Sequence, residues 1–221
     1  MHWLDLLFPP RPDEIGIRDL SHDDFLALVA PRLVPETRPG TVALLPFGNP
    51  RVRSAIHEAK YHGSKYSFQL LGSALAEYLR DADDYDYGFL RFDLENSGLR
   101  SNFVLVPVPL GEKRRKERGY NQIEEVAVRA LRAMRKEVTG MLTLDSDLLI
   151  RARETISQVS LPRHKREENM RDAFKATRRA DSTHTYIVID DVITTGATLQ
   201  SAVNALRDAG ATKIIPLALA H

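Results

Sequence analysis

The chain has 221 residues, of which 43% are apolar, and this suits one α/β domain with an appendage or two small domains. It contains no cysteine, which excludes disulfides, thiolate zinc sites and cysteine nucleophiles. The net charge of +1 does not indicate a general polyanion-binding surface, although charges of one sign cluster locally. No apolar run approaches the roughly 20 residues that span a bilayer, and the first residues lack the features of a signal peptide. We therefore expect a cytoplasmic protein without membrane insertion.

The first forty residues are rich in proline and acidic side chains and are predicted to form an N-terminal extension to a domain at 41–221. Apolar spacing in the first half of the chain predicts a short helix near 23–29, a strand at 41–47, and helices at 50–61 and 67–79. Gly63 is expected to end the helix at 50–61. The acidic stretch 81–101 is predicted to be a connection with a short strand near 89–92.

The second half begins with an apolar run at 102–108, which is typical of a strand buried on both faces of a parallel sheet. Pro107 and Pro109 predict that strand pairing fails at its carboxyl end. Apolar spacing further predicts a helix at 122–135, short strands at 148–150 and 174–177, and a helix from 162 to about 172.

The clearest unit comes last: a strand at 186–189, a loop at 190–196 and a helix at 197–209 followed by Gly210. A further strand is predicted at 213–220, where Pro216 suggests the edge of a sheet. This order implies a right-handed parallel crossover. Ligands of open parallel sheets bind beyond the carboxyl ends of the strands, where this loop would lie.

The sequence of this unit, YIVIDDVITTGAT, carries the main chemical signal. Asp190 and Asp191 follow a buried strand, and adjacent carboxylates repel unless they share hydroxyl donors or a cation, so ribose hydroxyls and Mg²⁺ are natural partners. The unpaired N–H groups at the start of the helix favour a phosphate, and Gly196 permits a tight turn around it. Hydroxyl donors are available from Thr194, Thr195 and Thr198. The alternative is an Asp-Asp turn followed by a threonine helix cap.

This string resembles the signature of type I phosphoribosyltransferases. The resemblance implies a central, mainly parallel sheet flanked by helices, with a hood-like N-terminal region. It also implies that Asp190 and Asp191 bind the ribose 2′- and 3′-hydroxyls of phosphoribosyl pyrophosphate. By position, the segment around the ribose 5′-phosphate consists of Val192, Thr194, Thr195, Gly196, Ala197 and Thr198.

Three further segments resemble the ComF group of phosphoribosyltransferase-like proteins, which is associated with competence and DNA uptake. They are AIHEAKYHG at 55–63, VPVPLGEKRRKERGYNQ at 106–122 and RARETISQVSLPRHKREENMRDAF at 151–174. That group commonly begins with a four-cysteine zinc ribbon, whereas this chain has no cysteine after its opening LLFPP. We expect either a relative without the ribbon or one whose N-terminus has been replaced.

The two basic segments have competing interpretations. The first predicts a loop that faces a pyrophosphate with four cations, or else a solvated charged loop before a helix capped by Asn121; the cations are Lys113, Arg114, Arg115 and Arg118. The second predicts a lid over the ligand or an exposed connection, with Arg151, Arg153, Thr155, Ser157 and Gln158 as its polar residues. The histidines His57, His62 and His164 are interpreted as helix caps or surface residues.

Two functional hypotheses remain. The first is an Mg²⁺-dependent phosphoribosyltransferase that moves phosphoribose to a nucleobase or amine acceptor, with Asp190, Asp191 and Arg153 as catalytic residues and Mg²⁺ held through one of the two acids. The second is a non-catalytic phosphoribosyl-binding regulator, or an accessory protein that contacts DNA or the competence machinery. The sequence leaves the acceptor and the oligomeric state open.

Overall fold

The computed structural model describes residues 11–35, 37, 40–80, 102–134, 142–152 and 172–221. The helices in these ranges are α1 (Pro12–Arg18), α2 (His22–Leu26), α3 (Pro50–His62), α4 (Lys65–Arg80), α5 (Glu112–Arg118), α6 (Gln122–Met134) and α7 (Ala197–Asp208). The strands are β1 (Arg32–Val34), β2 (Thr41–Leu45), β3 (Phe103–Pro107), β4 (Leu142–Leu144), β5 (Leu149–Arg151), β6 (Phe174–Ala176), β7 (Thr185–Val192) and β8 (Lys213–Ala220).

A six-stranded sheet in the order β1-β2-β8-β7-β3-β4 forms the centre of the protein. Its strands run parallel except β1, which pairs with β2 in the antiparallel sense at one edge. Strands β5 and β6 form a separate antiparallel pair. The predicted α/β class, with a mainly parallel central sheet flanked by helices, is confirmed. The finer assignment to the type I phosphoribosyltransferase fold stays a prediction.

Both faces of the sheet are buried, which explains why its central strands are apolar throughout. In β7, Ile187 and Ile189 pack into the core shared with α3, α4 and α6. Tyr186 and Val188 point to the opposite face and pack into the core shared with α7 and the β5–β6 pair. Because successive side chains of a strand alternate between the two faces, a continuous apolar run is what such a position requires.

Helix boundaries follow local capping chemistry. Asn49 precedes α3 and its side chain accepts a hydrogen bond from Arg51 N–H at 2.9 Å. Gly63 ends α3 in the left-handed conformation at φ +61°, as the sequence predicts. At α6, Oδ1 of Asn121 accepts a hydrogen bond from Ile123 N–H at 3.1 Å, so the predicted Asn121 cap is also confirmed.

Two predicted elements differ from the structure. The strand predicted at 186–189 continues to Val192 and includes the acidic pair, because Asp190 and Val192 pair with Ala218 and Ala220 of β8. The segment predicted as a basic loop is the helix α5, which begins after Gly111 and ends at Gly119 with φ +77°. Lys113, Arg114, Arg115 and Arg118 therefore lie on a helix rather than a loop.

The predictions made from Pro107 and Pro216 have different outcomes. Pro107 pairs in register with Ile189, and Val108 N–H donates to Ile189 at 2.9 Å, so pairing with β7 persists to the end of β3. On the other side, the β4 pairing stops at Leu105, and this is the side that the missing N–H of Pro107 would face. The edge predicted from Pro216 is wrong, because β8 lies between β2 and β7. The hydrogen bonds that β8 makes with β2 and β7 stabilise its central position more than the loss of one N–H donor at Pro216 destabilises it.

The N-terminal elements pack against the central unit. Ile17, Leu20 and Phe25 are buried in the same core as α3 and α4, and β1 extends the main sheet. The division at residue 40 stays a prediction. The predicted strand at 89–92 and the predicted helix from 162 to about 172 lie outside the described residues. Among the helices that the structure describes, none combines the length and apolarity needed to cross a bilayer.

Candidate functional site

Asp190 and Asp191 lie at the carboxyl end of β7, on the wall of an open cleft of about 1760 Å³. Strand β7 pairs with β3 as far as Ile189 and with β8 through Val192, so the two acids lie where only the β8 ladder continues. Asp191 is nearly buried, with 8% of its surface exposed, whereas Asp190 is half-buried. Both acids line the cleft, although they lie within β7 rather than in a loop beyond its end as the sequence predicts.

Asp191 is held by three groups of the protein. The ammonium nitrogen of Lys60 lies 2.8 Å from its Oδ2, and Nε2 of Gln122 donates to the same oxygen at 2.9 Å. The other oxygen, Oδ1, accepts a hydrogen bond from Val192 N–H at 2.7 Å. Both carboxylate oxygens of Asp191 are thus engaged within the protein.

The partners of Asp191 are themselves positioned by neighbouring contacts. The Tyr120 hydroxyl donates to the backbone carbonyls of Ala59 and Lys60 at 3.0 and 3.3 Å, which fixes the last turn of α3. Nδ2 of Asn121 donates to the carbonyl of Val108 at 3.0 Å and ties the start of α6 to the end of β3. Gln122 follows directly as the first residue of α6.

Gln122 also connects the acidic pair to the basic helix. Its Oε1 accepts a hydrogen bond from Nη1 of Arg118 at 3.1 Å, while its Nε2 serves Asp191. The guanidinium of Arg118 lies over the ring of Tyr61, 5.1 Å from the centroid. A continuous series of contacts therefore runs from α5 through α6 and β7 to α3.

The electrostatics of the two acids differ. Burial and the charge of Asp191 raise the pKa of Asp190 to about 7, although Lys60 and Arg151 act to lower it. Burial would also raise the pKa of Asp191, but the charge and hydrogen bond of Lys60, with the bonds from Val192 and Gln122, lower the pKa overall. For Lys60, burial lowers the pKa and Asp191 more than offsets this, so the pKa is raised. Asp191 and Lys60 therefore form an ion pair, and the neighbouring Asp190 has a raised pKa.

The loop after β7 leads directly into α7. Thr194 and Thr198 line the cleft, and Thr195 Oγ1 accepts a hydrogen bond from Ala197 N–H at 3.4 Å. Gly196 adopts φ +79° and occupies the cap position of α7, whose first N–H groups point toward the loop. Ala197 is buried behind this turn. The loop thus offers hydroxyl groups and a helix N-terminus on the same side of the sheet as Asp190.

Several cations also line the cleft. Of the four basic residues predicted to face a pyrophosphate, Lys113, Arg114 and Arg118 line the cleft and Arg115 is exposed elsewhere on α5. Arg151, at the end of β5, lines the cleft as well. The predicted catalytic residue Arg153 lies outside the described residues, as do Thr155, Ser157, Gln158 and His164.

The site fits the hard divalent cation that the resemblance implies. Mg²⁺ prefers carboxylate and phosphate oxygens, and Asp190 presents a carboxylate whose pKa is raised first by burial and then by the negative charge of Asp191. A cation or hydroxyl donors beside Asp190 would stabilise the charged form of this carboxylate. Asp191 fits the role less well because three protein donors already share its acceptor sites and one of them, Lys60, supplies its counter-charge.

Sequence reasoning missed Lys60 and Gln122 as members of the site. Both occur in segments that carry the ComF resemblance, AIHEAKYHG and VPVPLGEKRRKERGYNQ, but neither residue has a local pattern that indicates a ligand. Their role depends on α3 and α6 meeting at the end of β7. The signal that could have indicated them was that Lys60 and Gln122 are polar residues within the segments that resemble the ComF group.

This α/β protein, with its cleft at the end of β7, is similar in sequence to several known bacterial proteins. No family model matches the chain. It is similar to the DNA utilization protein YhgH of Escherichia coli K12, with 29% identity over 118 residues, which are 53% of this chain and 49% of that protein. It is also similar to competence protein F of Haemophilus influenzae, with 30% identity over 113 residues, or 50% of this chain and 47% of that protein. The YhgH protein of Salmonella typhimurium matches at 28% identity over 121 residues, 54% of this chain and 49% of that protein.

The chain therefore spans about half the length of the curated relatives it matches. These matches support the resemblance to the ComF family that the sequence motifs indicate.

Proposed function

We propose that this chain is a phosphoribosyl-binding protein that takes part in the use of DNA by the cell. One observation carries the binding half of the proposal: Asp190 and the start of α7 open onto the same cleft, which Lys113, Arg114 and Arg151 also line. A carboxylate for sugar hydroxyls, a helix N-terminus for one phosphate and cations for a second anion match the chemical groups of phosphoribosyl pyrophosphate. The names of the relatives, DNA utilization protein and competence protein F, support the cellular role.

Within this proposal the two acids have different tasks. Asp190 accepts hydrogen bonds from the ribose hydroxyls, since its carboxylate lines the cleft while the ion pair with Lys60 is made by Asp191. Asp191 orients Lys60 and Gln122 and thereby joins the sugar site to α5. Mg²⁺, when bound with the ligand at Asp190, would neutralise charge on the pyrophosphate oxygens.

Calorimetric titration of the full chain with phosphoribosyl pyrophosphate and Mg²⁺ tests binding. We expect Asp190→Asn to weaken binding by about 10-fold or more, since it removes a charged acceptor of the sugar hydroxyls. Asp208→Asn, an exposed change at the far end of α7, is the matched control and should bind as the wild type does. Absence of binding by the wild-type chain, or equal affinity of the two variants, would overturn the proposal.

Phosphoribosyl transfer is a second candidate function, and the size of the cleft favours it. A volume of about 1760 Å³ exceeds the ~300–1,000 Å³ typical of small-molecule pockets, so donor and acceptor have room side by side. The test is pyrophosphate release from phosphoribosyl pyrophosphate with Mg²⁺ and a panel of nucleobases and amines. Release that depends on one acceptor and on Asp190 would support an enzyme, whereas binding without release for every acceptor supports a regulator.

The DNA-related role has its own test. We expect salt-sensitive binding of a duplex oligonucleotide, measured by fluorescence anisotropy, to depend on the outward cations Arg115 and Lys116 of α5. Ala substitution of both should weaken DNA binding and leave ligand binding at Asp190 intact. DNA binding that is lost with Asp190→Asn instead would show that the sugar site itself holds the nucleic acid.

A further inference from the structure

A second cluster of metal-ligating side chains lies at the carboxyl end of α3, apart from the acidic pair. His57, Glu58 and His62 each offer one ligand atom, and these atoms all lie within 4.8 Å of one another. We propose that these three residues form a site for a divalent transition-metal ion, with Zn²⁺ as the representative ion. The proposal is independent of phosphoribosyl binding.

The ligand set and its geometry suit zinc. Two imidazoles and one carboxylate are an established set for Zn²⁺, with metal–nitrogen distances of about 2.0–2.1 Å, which place ligand atoms roughly 3.3 Å apart. Nε2 of His62 already lies 3.9 Å from Oε1 of Glu58. The side chains of His57 and His62 are 46% and 33% exposed, so small rotations can close the remaining gap.

Asp13 prepares His57 for metal binding. Its Oδ2 lies 2.9 Å from Nδ1 of His57, so the carboxylate accepts a hydrogen bond from that nitrogen. The imidazole then carries its proton on Nδ1 and leaves the lone pair of Nε2 for a metal. A carboxylate behind a ligating histidine is the usual outer partner of zinc sites, where it fixes the tautomer and the ring orientation.

Glu58 is also held in place by a neighbouring charged side chain, the guanidinium of Arg11. It is 1% exposed, and its two oxygens accept hydrogen bonds from Nε and Nη2 of Arg11 at 2.9 and 2.6 Å. Each carboxylate oxygen has a second lone pair, so the fork from Arg11 orients Glu58 without using all of its acceptor capacity. The charge of Arg11 is also offset by Glu14, which lies 3.2 Å from its guanidinium.

The two clusters on the cleft therefore differ in chemistry. His57, His62 and Asp13 line the same cleft as Asp190, so an open coordination position on the metal would face that space. Imidazole nitrogens select zinc-like ions, while the carboxylate of Asp190 suits Mg²⁺. Metal exchange between the two sites is thus disfavoured by ligand type.

The test uses the untagged full chain, treated with a chelator and then dialysed. Calorimetric titration with Zn²⁺ alone should give one bound ion, and His57→Gln and His62→Gln should each weaken binding by more than the roughly 10–100-fold that loss of an outer partner costs. His184→Gln is the matched control, since His184 also lies near an aspartate, Asp181 at 4.0 Å, but at the other end of β7. No bound Zn²⁺, or the same affinity in the two α3 variants and the control, would overturn the proposal.

Co²⁺ supplies a second readout that does not depend on the variants folding. Wild-type protein with one equivalent of Co²⁺ should show the strong visible absorption of a four- or five-coordinate site, and Zn²⁺ should displace it. A weak spectrum of the six-coordinate aqueous type would contradict the proposed ligand set. Asp13→Asn should retain the spectrum with a reduced Co²⁺ affinity, as expected for a residue that orients a ligand without touching the metal.

Discussion

Lys60 of α3 holds Asp191 of β7 by an ion pair with Nζ 2.8 Å from Oδ2, and this contact makes two adjacent aspartates unequal. Asp191 keeps its charge because Lys60 lowers its pKa. Asp190, next in the same strand, has a raised pKa because of burial and the charge beside it. The contact thus distinguishes the two acids: Asp191 is held in an ion pair within the protein, and Asp190 lines the cleft with a raised pKa.

Lys60→Met should destabilise the protein, because it leaves the Asp191 carboxylate nearly buried without its counter-charge. The side chains are 25% and 11% exposed, so we expect a loss of about 2 kcal/mol, below the 3–5 kcal/mol typical of fully buried pairs. Urea unfolding at neutral pH measures it, with Lys65→Met, an exposed position at the start of α4, as control. The double variant with Asp191→Asn should recover part of the loss. Equal stability of the two lysine variants would contradict the role of Lys60.

The pH dependence of stability should report Asp190. Its folded pKa of about 7 lies above the unfolded value near 3.9, so between these values the folded state binds a proton that the unfolded state has released. The free energy of unfolding therefore falls as pH rises from about 4 to about 7. Asp190→Asn removes this slope and should gain on the order of 1–3 kcal/mol over the wild type near pH 8. Urea unfolding across this pH range is the measurement.

Asp191 and an exposed acid provide the controls for that experiment. The lowered pKa of Asp191 adds stability that is lost only as pH falls below the ordinary carboxyl range, so its contribution is constant above it. Asp208→Asn should run parallel to the wild type over the same pH range. If Asp190→Asn also ran parallel to the wild type, the raised pKa of Asp190 would be wrong.

The sequence predicted the order of β7, its following loop and α7, because local preferences there agree with the tertiary structure. An apolar β-branched run forms β7. Gly196, at φ +79°, caps the start of α7, as the sequence pattern predicts. It failed where packing decides. Pro216 lies in a central strand because β2 and β7 pair on either side of it.

The basic segment shows a different failure. A run of cations was predicted to be a loop, yet all of α5 consists of good helix formers bounded by Gly111 and Gly119. The contacts of Asp191 with Lys60 and Gln122 were missed because they join three elements that are far apart in the sequence. A single sequence reveals the acids of such a site but not their partners.

Gly196→Ala should weaken ligand binding because it strains the loop between β7 and α7. A side chain at φ +79° costs about 1–2 kcal/mol, and relief of that strain would move the first N–H groups of α7. Gly210→Ala at φ +104° is the matched control, since it places similar strain at the other end of the same helix. Both variants should lose stability by thermal unfolding, but only Gly196→Ala should lose affinity for ribose 5-phosphate. Equal affinities in the two variants would argue against an anion at this loop.

Gly72→Ala should destabilise the packing of α4 on α6. A Cβ atom at Gly72 would lie 2.7 Å from Cβ of Arg129 and 3.2 Å from the carbonyl oxygen of Val126, so the helices must separate. We expect a loss of about 1–3 kcal/mol in the free energy of unfolding, as for other overpacked cores, despite the better helix propensity of alanine. Ser73→Ala, the half-buried neighbour, is the control and should change stability little. A stabilised Gly72→Ala would contradict the close helix contact.

Lys113 and Arg114 should distinguish the two anionic groups of phosphoribosyl pyrophosphate. Both line the cleft and belong to α5 rather than to the loop before α7, so Ala substitution at either should weaken binding of the pyrophosphate-bearing ligand by about 10-fold and leave binding of ribose 5-phosphate unaffected. Lys116→Ala is the control, because that side chain is 82% exposed and pairs at 4.0 Å with Glu112. Calorimetry with both ligands measures the difference. Equal losses for the two ligands, or a similar loss in Lys116→Ala, would show that α5 acts through general charge rather than by contact with a pyrophosphate.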